Sequence, residues 1–151
     1  MKLAVVPVTD EAGNLVPGEW LLRAGAVHRQ LRDRLPLDQE AYRATLARVC
    51  AGGGRLCLAL EDGEIRGLAL WRLLENTFEG RRLYVDDLVV DAPFRSRGVG
   101  RALLQWLEAH AGTLSCTVLA LDSGVGRSDA HRFYFREGFF IPSFCFRKTL
   151  T

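Results

Sequence analysis

The sequence holds no Cys-x-x-Cys pair, and its four cysteines, at 50, 57, 116 and 145, are not bracketed by the three histidines at 28, 110 and 131. Metal-site spacing is therefore missing, and no metal is expected. No apolar run reaches the roughly 18 residues that would suggest a bilayer-crossing helix. Met1 to Asp10 is a short strand-like run without the apolar centre of a secretory leader. These absences lead to the expectation of a reduced, cytoplasmic protein with free, buried thiols and no membrane partner. Lysine is nearly absent: Lys2 and Lys148 are the only two among 20 cationic residues. The net charge of +2 makes no case for a nucleic-acid partner. Two phosphate motifs are also missing. There is no Gly-x-x-x-x-Gly-Lys-Ser/Thr, and Gly98-Val99-Gly100 meets Leu103 where a dinucleotide loop has its third glycine.

What remains is a chain of 151 residues, 48% of them hydrophobic, enough for one domain over 1–151 with a single core. Leu3 to Val8 reads as a strand. Glu19 to Arg32 carries Leu21, Leu22, Ala26, Val27 and Leu31 at helical spacing, and Pro36 breaks that run. Asp38 stands as N-cap of a second helix marked by Ala41, Tyr42, Thr45, Leu46 and Val49, ending at Gly52-Gly53-Gly54. Arg55 to Leu60 and Ile65 to Leu73 form a hairpin around Asp62-Gly63. Glu75 to Gly80 reads as a polar loop and Leu83 to Val90 as a third core strand. Ala102 to Ala111 is helical, Thr117 to Leu121 a buried strand, and Ser128 to Arg136 the last helix. Phe139 to Ile141 and Phe144 to Lys148 read as strands separated by Pro142-Ser143. The order β, two helices, three strands, α, β, α, β implies an α/β fold, a mixed sheet with helices on its faces.

Arg95-Ser96-Arg97-Gly98-Val99-Gly100-Arg101 lies between the strand ending at Val90 and the helix from Ala102. A helix start has amides without intrahelical acceptors, and its dipole favours an anion. Gly98 and Gly100 let the main chain approach a ligand, and three guanidinium groups surround the same spot. A plain basic turn is the competing reading. Asp86 and Asp87 are adjacent carboxylates in an otherwise apolar strand. Adjacent strand residues face opposite ways, so the pair can share one pocket only if the strand is bulged. The competing reading makes one of them a buried ion pair with arginine and leaves the other exposed.

The run Val90-Asp91-Ala92-Pro93-Phe94-Arg95-Ser96-Arg97-Gly98-Val99-Gly100 resembles the acetyl-coenzyme A loop of the GNAT superfamily of N-acetyltransferases. Ala130-His131-Arg132-Phe133-Tyr134-Phe135-Arg136-Glu137-Gly138-Phe139 resembles that family's Ala-x-x-Phe/Leu-Tyr-x-x-x-Gly-Phe. The two matches come in the expected order with a strand-like segment between them, and the resemblance covers about residues 54–150. It implies a GNAT-like fold, a mixed and mostly antiparallel sheet whose splayed central strands receive pantetheine. It also implies acetyl-CoA as co-substrate, bound through main-chain groups of Leu88, Val89 and Val90 and through the loop Arg95, Ser96, Arg97, Gly98, Val99, Gly100, Arg101 and Ala102.

Acetyl transfer to an amine requires a held thioester, a neutral amine, a stabilised oxyanion and a proton for the leaving thiolate. The resemblance puts Tyr134 in the general-acid position. Asp86-Asp87 resembles the acidic pair of diamine acetyltransferases, in which the first carboxylate is assigned to proton relay or substrate binding; the GNAT fold would supply the bulge on this strand, and which of the two acts here stays open. Where many members carry Asn, this chain has Arg127, followed by Ser128, and either could bond pantetheine or phosphate. His131 reads as a solvated helix residue, and Cys116 and Cys145 as buried structural thiols. Asp86, Asp87, Glu75 and Glu79 favour a cationic acceptor, a primary amine on a small molecule or peptide. A non-catalytic acyl-CoA sensor of the same fold is the alternative, against which the intact Tyr134 argues. An edge strand near the C-terminus could pair two copies into a homodimer.

Overall fold

Asp62 and Gly63 both take positive φ, 52° and 81°, and turn the chain between β2 (Arg55–Glu61) and β3 (Glu64–Asn76). This is the hairpin geometry that Asp-Gly favours. In the computed structural model, which describes residues 2–151, Met1 of the first strand-like run lies outside the described residues. β1 (Leu3–Pro7), β2, β3, β4 (Gly80–Val90) and β5 (Val118–Leu121) lie in that order in one five-stranded sheet. The first three pairings are antiparallel. The helical crossover between β4 and β5 makes the sheet mixed.

The polar loop expected over Glu75 to Gly80 is shorter than its composition implies. Glu75 and Asn76 belong to β3 and Gly80 to β4. The Asn76 side-chain oxygen accepts from the N–H groups of Phe78 and Glu79, and Gly80 takes φ +78°, so a tight turn suffices. The side chain thus replaces backbone partners that a longer loop would seek.

One face of the sheet is covered by α1 (Trp20–His28) and α2 (Gln39–Ala51). Leu21, Ala24 and Val27 of α1 and Tyr42 and Leu46 of α2 join Leu56, Leu58, Leu68, Leu70 and Val89 in one buried cluster. Leu22 is 65% exposed, off the buried stripe. The helical spacing was legible, but the stripe runs through Leu21, Ala24, Val27 and His28. Asp38 caps α2 by accepting from the Ala41 N–H at 2.9 Å, as its position implies.

α3 (Val99–Thr113) contacts β4 and β3 through a buried stripe of Val99, Leu103, Leu104, Leu107 and Ala111. Its seat depends on Gly67 of β3. A Cβ there would lie 2.8 Å from the Val89 carbonyl oxygen and 3.1 Å from Val99 Cγ1. Gly67→Ala therefore forces backbone apart under the start of α3. Overpacking of this kind costs about 1–3 kcal/mol. At about 2–4 °C per kcal/mol, Tm should fall by roughly 2–12 °C in a thermal melt. An unchanged Tm would mean that α3 has slack at this contact.

The chain divides into two units, a larger one ending at Ala120 and a smaller one, Leu121–Thr151. The smaller unit holds α4 (Ser128–Arg136), with the bounds read from the sequence. The two strands expected over Phe139 to Ile141 and Phe144 to Lys148 are not formed, and the segment has no regular structure. Phe140, Ile141, Phe144 and Phe146 are exposed. Apolar and aromatic side chains favour a strand, but a strand also needs a neighbour for its amides, and Pro142 has no N–H to give. The C-terminal edge strand expected to pair two copies is absent with them. Cysteine burial also departs from expectation. Cys50 and Cys57 are buried, Cys116 is half-buried, and Cys145 is exposed because it lies in this irregular segment. All four are free.

Candidate active site

Gly98 is the N-cap of α3 and takes φ +86°, a conformation open to glycine at little cost. No side chain caps this helix start. The first helical bond runs from the Ala102 N–H to the Gly98 carbonyl at 2.9 Å. The amides of Val99 and Gly100 precede it and point out of the helix end. A Cβ on Gly98 would meet nothing within 4 Å, so the main chain there is open to approach. Arg95, Ser96, Arg97 and Arg101 are exposed around it, and Ser96 takes φ +61°. Val99, by contrast, is buried and pins the helix start to the sheet. The loop therefore presents donors and positive charge to solvent from a fixed base. Of the amides expected to face an anion, that of Ala102 is engaged within the helix.

Leu88, Val89 and Val90 pair with Ala69, Leu68 and Gly67 of β3. On the other side of β4, the Thr117 N–H meets the Arg81 carbonyl, at the far end of the strand. β5 has only four residues, so in either direction it runs out before Leu88. β5 therefore does not cover Leu88–Val90, and the Val90 carbonyl accepts from Arg95 Nε at 3.3 Å.

The β3–β4 register shifts between Leu70 and Trp71: Leu70 faces Asp87 and Trp71 faces Val85, so Asp86 is the extra residue of a bulge. Both neighbouring carboxylates can then engage the side of the sheet that carries α1 and α2. Asp86 accepts from Arg72 Nε at 2.7 Å, and Arg72 also donates to the carbonyl of Gly52 at the end of α2. Asp87 accepts from Arg32 Nε at 2.6 Å and bonds His28 Nε2 at 2.7 Å. Arg32 also donates to the Asp86 carbonyl. Both aspartates are thus ion-paired, and neither is left exposed. Glu79 lies 3.5 Å from Arg82. Because these acids are balanced by arginines, the acidic surplus expected to select a cationic acceptor is not formed at the pair.

The sequence reading gave His28 and Tyr42 no role at the site. His28 is 2% exposed, and its Nδ1 lies 2.9 Å from the Tyr42 hydroxyl. With Asp87 ionised, Nε2–H donates to Asp87, and Nδ1 shares a hydrogen bond with the Tyr42 hydroxyl whose direction follows the protonation of His28. The only sequence signal was a histidine on a buried helical stripe. Burial pushes the Tyr42 phenol well above its usual range. Burial also pushes the Asp87 carboxyl up, but the hydrogen bonds and charges of His28 and Arg32 outweigh it and hold the group below its usual 3.8.

A carboxyl more acidic when folded favours the folded state at pH above its ordinary value. That contribution disappears as pH falls through the lowered folded value. Asp87→Asn should therefore be less stable than wild type at neutral pH, by about 1.5–3 kcal/mol for a lost charged hydrogen bond. The gap should narrow in acid, below pH 3.8. Denaturant melts of both proteins from pH 7 downward check this, and a gap independent of pH would remove the assignment.

In the smaller unit, Tyr134 is placed by the end of α4. Gly138 takes φ +90°, its N–H donates to the Phe135 carbonyl, and the Phe139 N–H donates to the Tyr134 carbonyl at 3.0 Å. This is a Schellman cap, and it folds Phe139 back onto the Tyr134 ring at 5.6 Å. The Phe133 ring lies 5.4 Å away on another side. The Tyr-x-x-x-Gly-Phe spacing is thus a device that fixes one phenol. Burial pushes the Tyr134 hydroxyl above its usual 10, opposed by the charge of Arg127. Arg127 and Ser128 are exposed at the start of α4, where Arg127 makes no side-chain cap. His131 is half-buried, with its Nε2 at 2.8 Å from the Gly124 carbonyl, so it is bonded to the preceding loop rather than solvated.

The family model of the acetyltransferase (GNAT) family matches residues 23–139, spanning both units. The chain belongs to the GNAT family of acetyltransferases. This GNAT member is 39% identical over 119 residues to an uncharacterized N-acetyltransferase, YhdJ, of Bacillus subtilis, covering 76% of this chain and 82% of that one. It is 32% identical over 116 residues to the aminoalkylphosphonate N-acetyltransferase of Salmonella typhimurium, covering 76% and 75%. Among solved structures, an aminoglycoside N-acetyltransferase in complex with CoA matches with TM-score 0.79 at 17% identity, over 99% of this chain and 96% of that one. The GNAT fold expected from the motifs is the fold observed. No helix among the described residues is long and apolar enough to cross a membrane.

Proposed function

We propose that this GNAT member moves an acetyl group from acetyl-CoA to a primary amine of a small molecule or peptide, by direct attack in a ternary complex, with 1–151 working as one domain. The observation that carries the reading is the uncapped start of α3 at Gly98, ringed by exposed arginines. It suits a pyrophosphate: amides of Val99 and Gly100 face outward, the dipole favours an anion, and nothing crowds Gly98. Arg95, Arg97 and Arg101 add charge that a free phosphate would need. The stretch Leu88–Val90, beyond the reach of β5, suits pantetheine held as an added strand. Arg127 and Ser128 are assigned to the same ligand by resemblance.

When bound, acetyl-CoA supplies the acyl group and a thiolate leaving group. Tyr134 supplies the proton to that sulfur. A phenol of pKa about 10 is a suitable donor for an alkyl thiolate, and burial that raises the phenol raises a neighbouring thiol as well. Asp86 and Asp87 orient the amine and accept its proton through water. Because Arg32 and His28 hold Asp87 ionised, its role is weighted toward orientation over proton abstraction.

The test is thiol release by the purified chain with acetyl-CoA across a panel of primary amines: aminoalkylphosphonates, diamines, amino sugars and peptide N-termini. Amine-dependent release supports transfer. Coenzyme binding without release on any amine would instead leave an acyl-CoA-binding module.

A further inference from the structure

We propose that Asp91, clamped by Arg23 and Gln30, is a positioning residue that sets the affinity for acetyl-CoA; the inference rests on the coenzyme reading above. Asp91 is the first residue after β4, between the strand edge assigned to pantetheine and the loop assigned to pyrophosphate. It is a buried acid, 3% exposed. One carboxylate oxygen accepts from Gln30 Nε2 at 2.7 Å, and the other is paired with Arg23. The Gln30 amide is held at both ends, since its oxygen accepts from the Ala92 N–H at 2.9 Å.

The main chain of Asp91 is engaged as well. Its N–H donates to the Arg66 carbonyl of β3, and its carbonyl accepts from the Phe94 N–H, both at 2.8 Å. That second bond closes the single 3₁₀ turn Ala92–Phe94, from which Arg95 to Gly98 leave. Phe94 is held in turn beneath the Arg66 guanidinium, 3.8 Å from the ring centre. The strand exit is therefore tied to α1 and to the segment just after it through the Asp91 carboxylate, and to β3 through the Asp91 N–H.

A buried charge pair is weak evidence for stability, since an apolar side chain could fill the same space at little cost. What an apolar residue cannot do is fix the direction of the chain by two separate side-chain hydrogen bonds. The clamp acts at the strand exit and touches no ligand, so its effect should fall on the ground-state affinity for coenzyme. Chemistry at the sulfur, set elsewhere, should be spared.

The experiment is steady-state kinetics and acetyl-CoA titration on wild type, Asp91→Asn, Gln30→Ala and the double variant. Leu46→Ala, a core change in α2 away from the loop, serves as a control for lost stability. Asp91→Asn should raise KM for acetyl-CoA about tenfold and Gln30→Ala about threefold, with kcat and the amine KM within about twofold. The double variant should fall short of the product of the singles, because both act through one clamp. Leu46→Ala should lower Tm without moving KM. If Asp91→Asn does not fold, the exposed Gln30→Ala and Arg23→Ala still report the KM shift. A fall in Tm with unchanged KM in the clamp variants would overturn the proposal, leaving Asp91 a structural acid. Absence of coenzyme binding by wild type itself would overturn the underlying reading instead.

Discussion

Tyr134→Phe is expected to lower kcat about 10²–10³-fold while leaving affinity for acetyl-CoA within about twofold, the range in which a positioned general acid contributes. The substitution keeps the ring between Phe133 and Phe139 and the Schellman cap at Gly138, which is built from main chain. Tm should accordingly change little, so a loss of turnover reports the hydroxyl and not the fold. The direction of the phenol's shift adds a second signature. Burial raises the group above its usual 10, so any alkaline fall in wild-type kcat from this residue should be centred above pH 10. Turnover at saturating coenzyme, with equilibrium binding of acetyl-CoA to both proteins, checks the prediction. Equal turnover would remove the acid assignment.

Much of the fold was legible because it rests on local signals. Asp62-Gly63 names its turn by the positive φ it needs, Asp38 names the start of α2 by its side-chain oxygen, and Ser128 to Arg136 is bounded by glycine-rich punctuation. The coenzyme loop and the tyrosine segment were legible for a related reason. Each is a contiguous device, a glycine N-cap in one and a Schellman cap in the other, whose geometry is written in a few consecutive residues.

The partners of the acidic pair were not legible. Asp87 meets His28 and Arg32, 59 and 55 positions away, and no local pattern specifies them. The bulge that lets both aspartates act on one side was expected through the family resemblance and not from the residues of β4, since it depends on β3 as much as β4. The charge balance followed the same course. Four acids in sequence suggested a negative site, but ion pairing is a property of the packed chain, and Arg32 and Arg72 cancel the pair. The C-terminal strands failed for the complementary reason, because strand-like composition cannot supply a partner for the backbone.

Gly98→Glu/Gly100→Glu should abolish the stabilisation that acetyl-CoA gives the wild type. Ligand at about a hundred times its dissociation constant stabilises by roughly 2.7 kcal/mol. At about 2–4 °C per kcal/mol that is a Tm rise of roughly 5–11 °C. In the double variant two carboxylates stand where the pyrophosphate is expected, against the same amides and dipole, so the site is already occupied by charge of the ligand's own sign. At Gly98 there is room for the change. A Cβ at Gly98 meets nothing within 4 Å, and an acidic residue in the first turn favours the helix. Only the φ of +86° resists it, at about 1–2 kcal/mol for a residue with a side chain. The ligand-free variant should thus melt a few degrees lower, and the decisive quantity is the ligand-dependent shift, not the absolute Tm. Gly100→Glu alone separates charge from strain, because Gly100 is helical. If that single variant loses the shift with its ligand-free Tm intact, electrostatic exclusion is the cause. A full shift retained in the double variant would mean that the arginine-ringed loop is only a basic helix start.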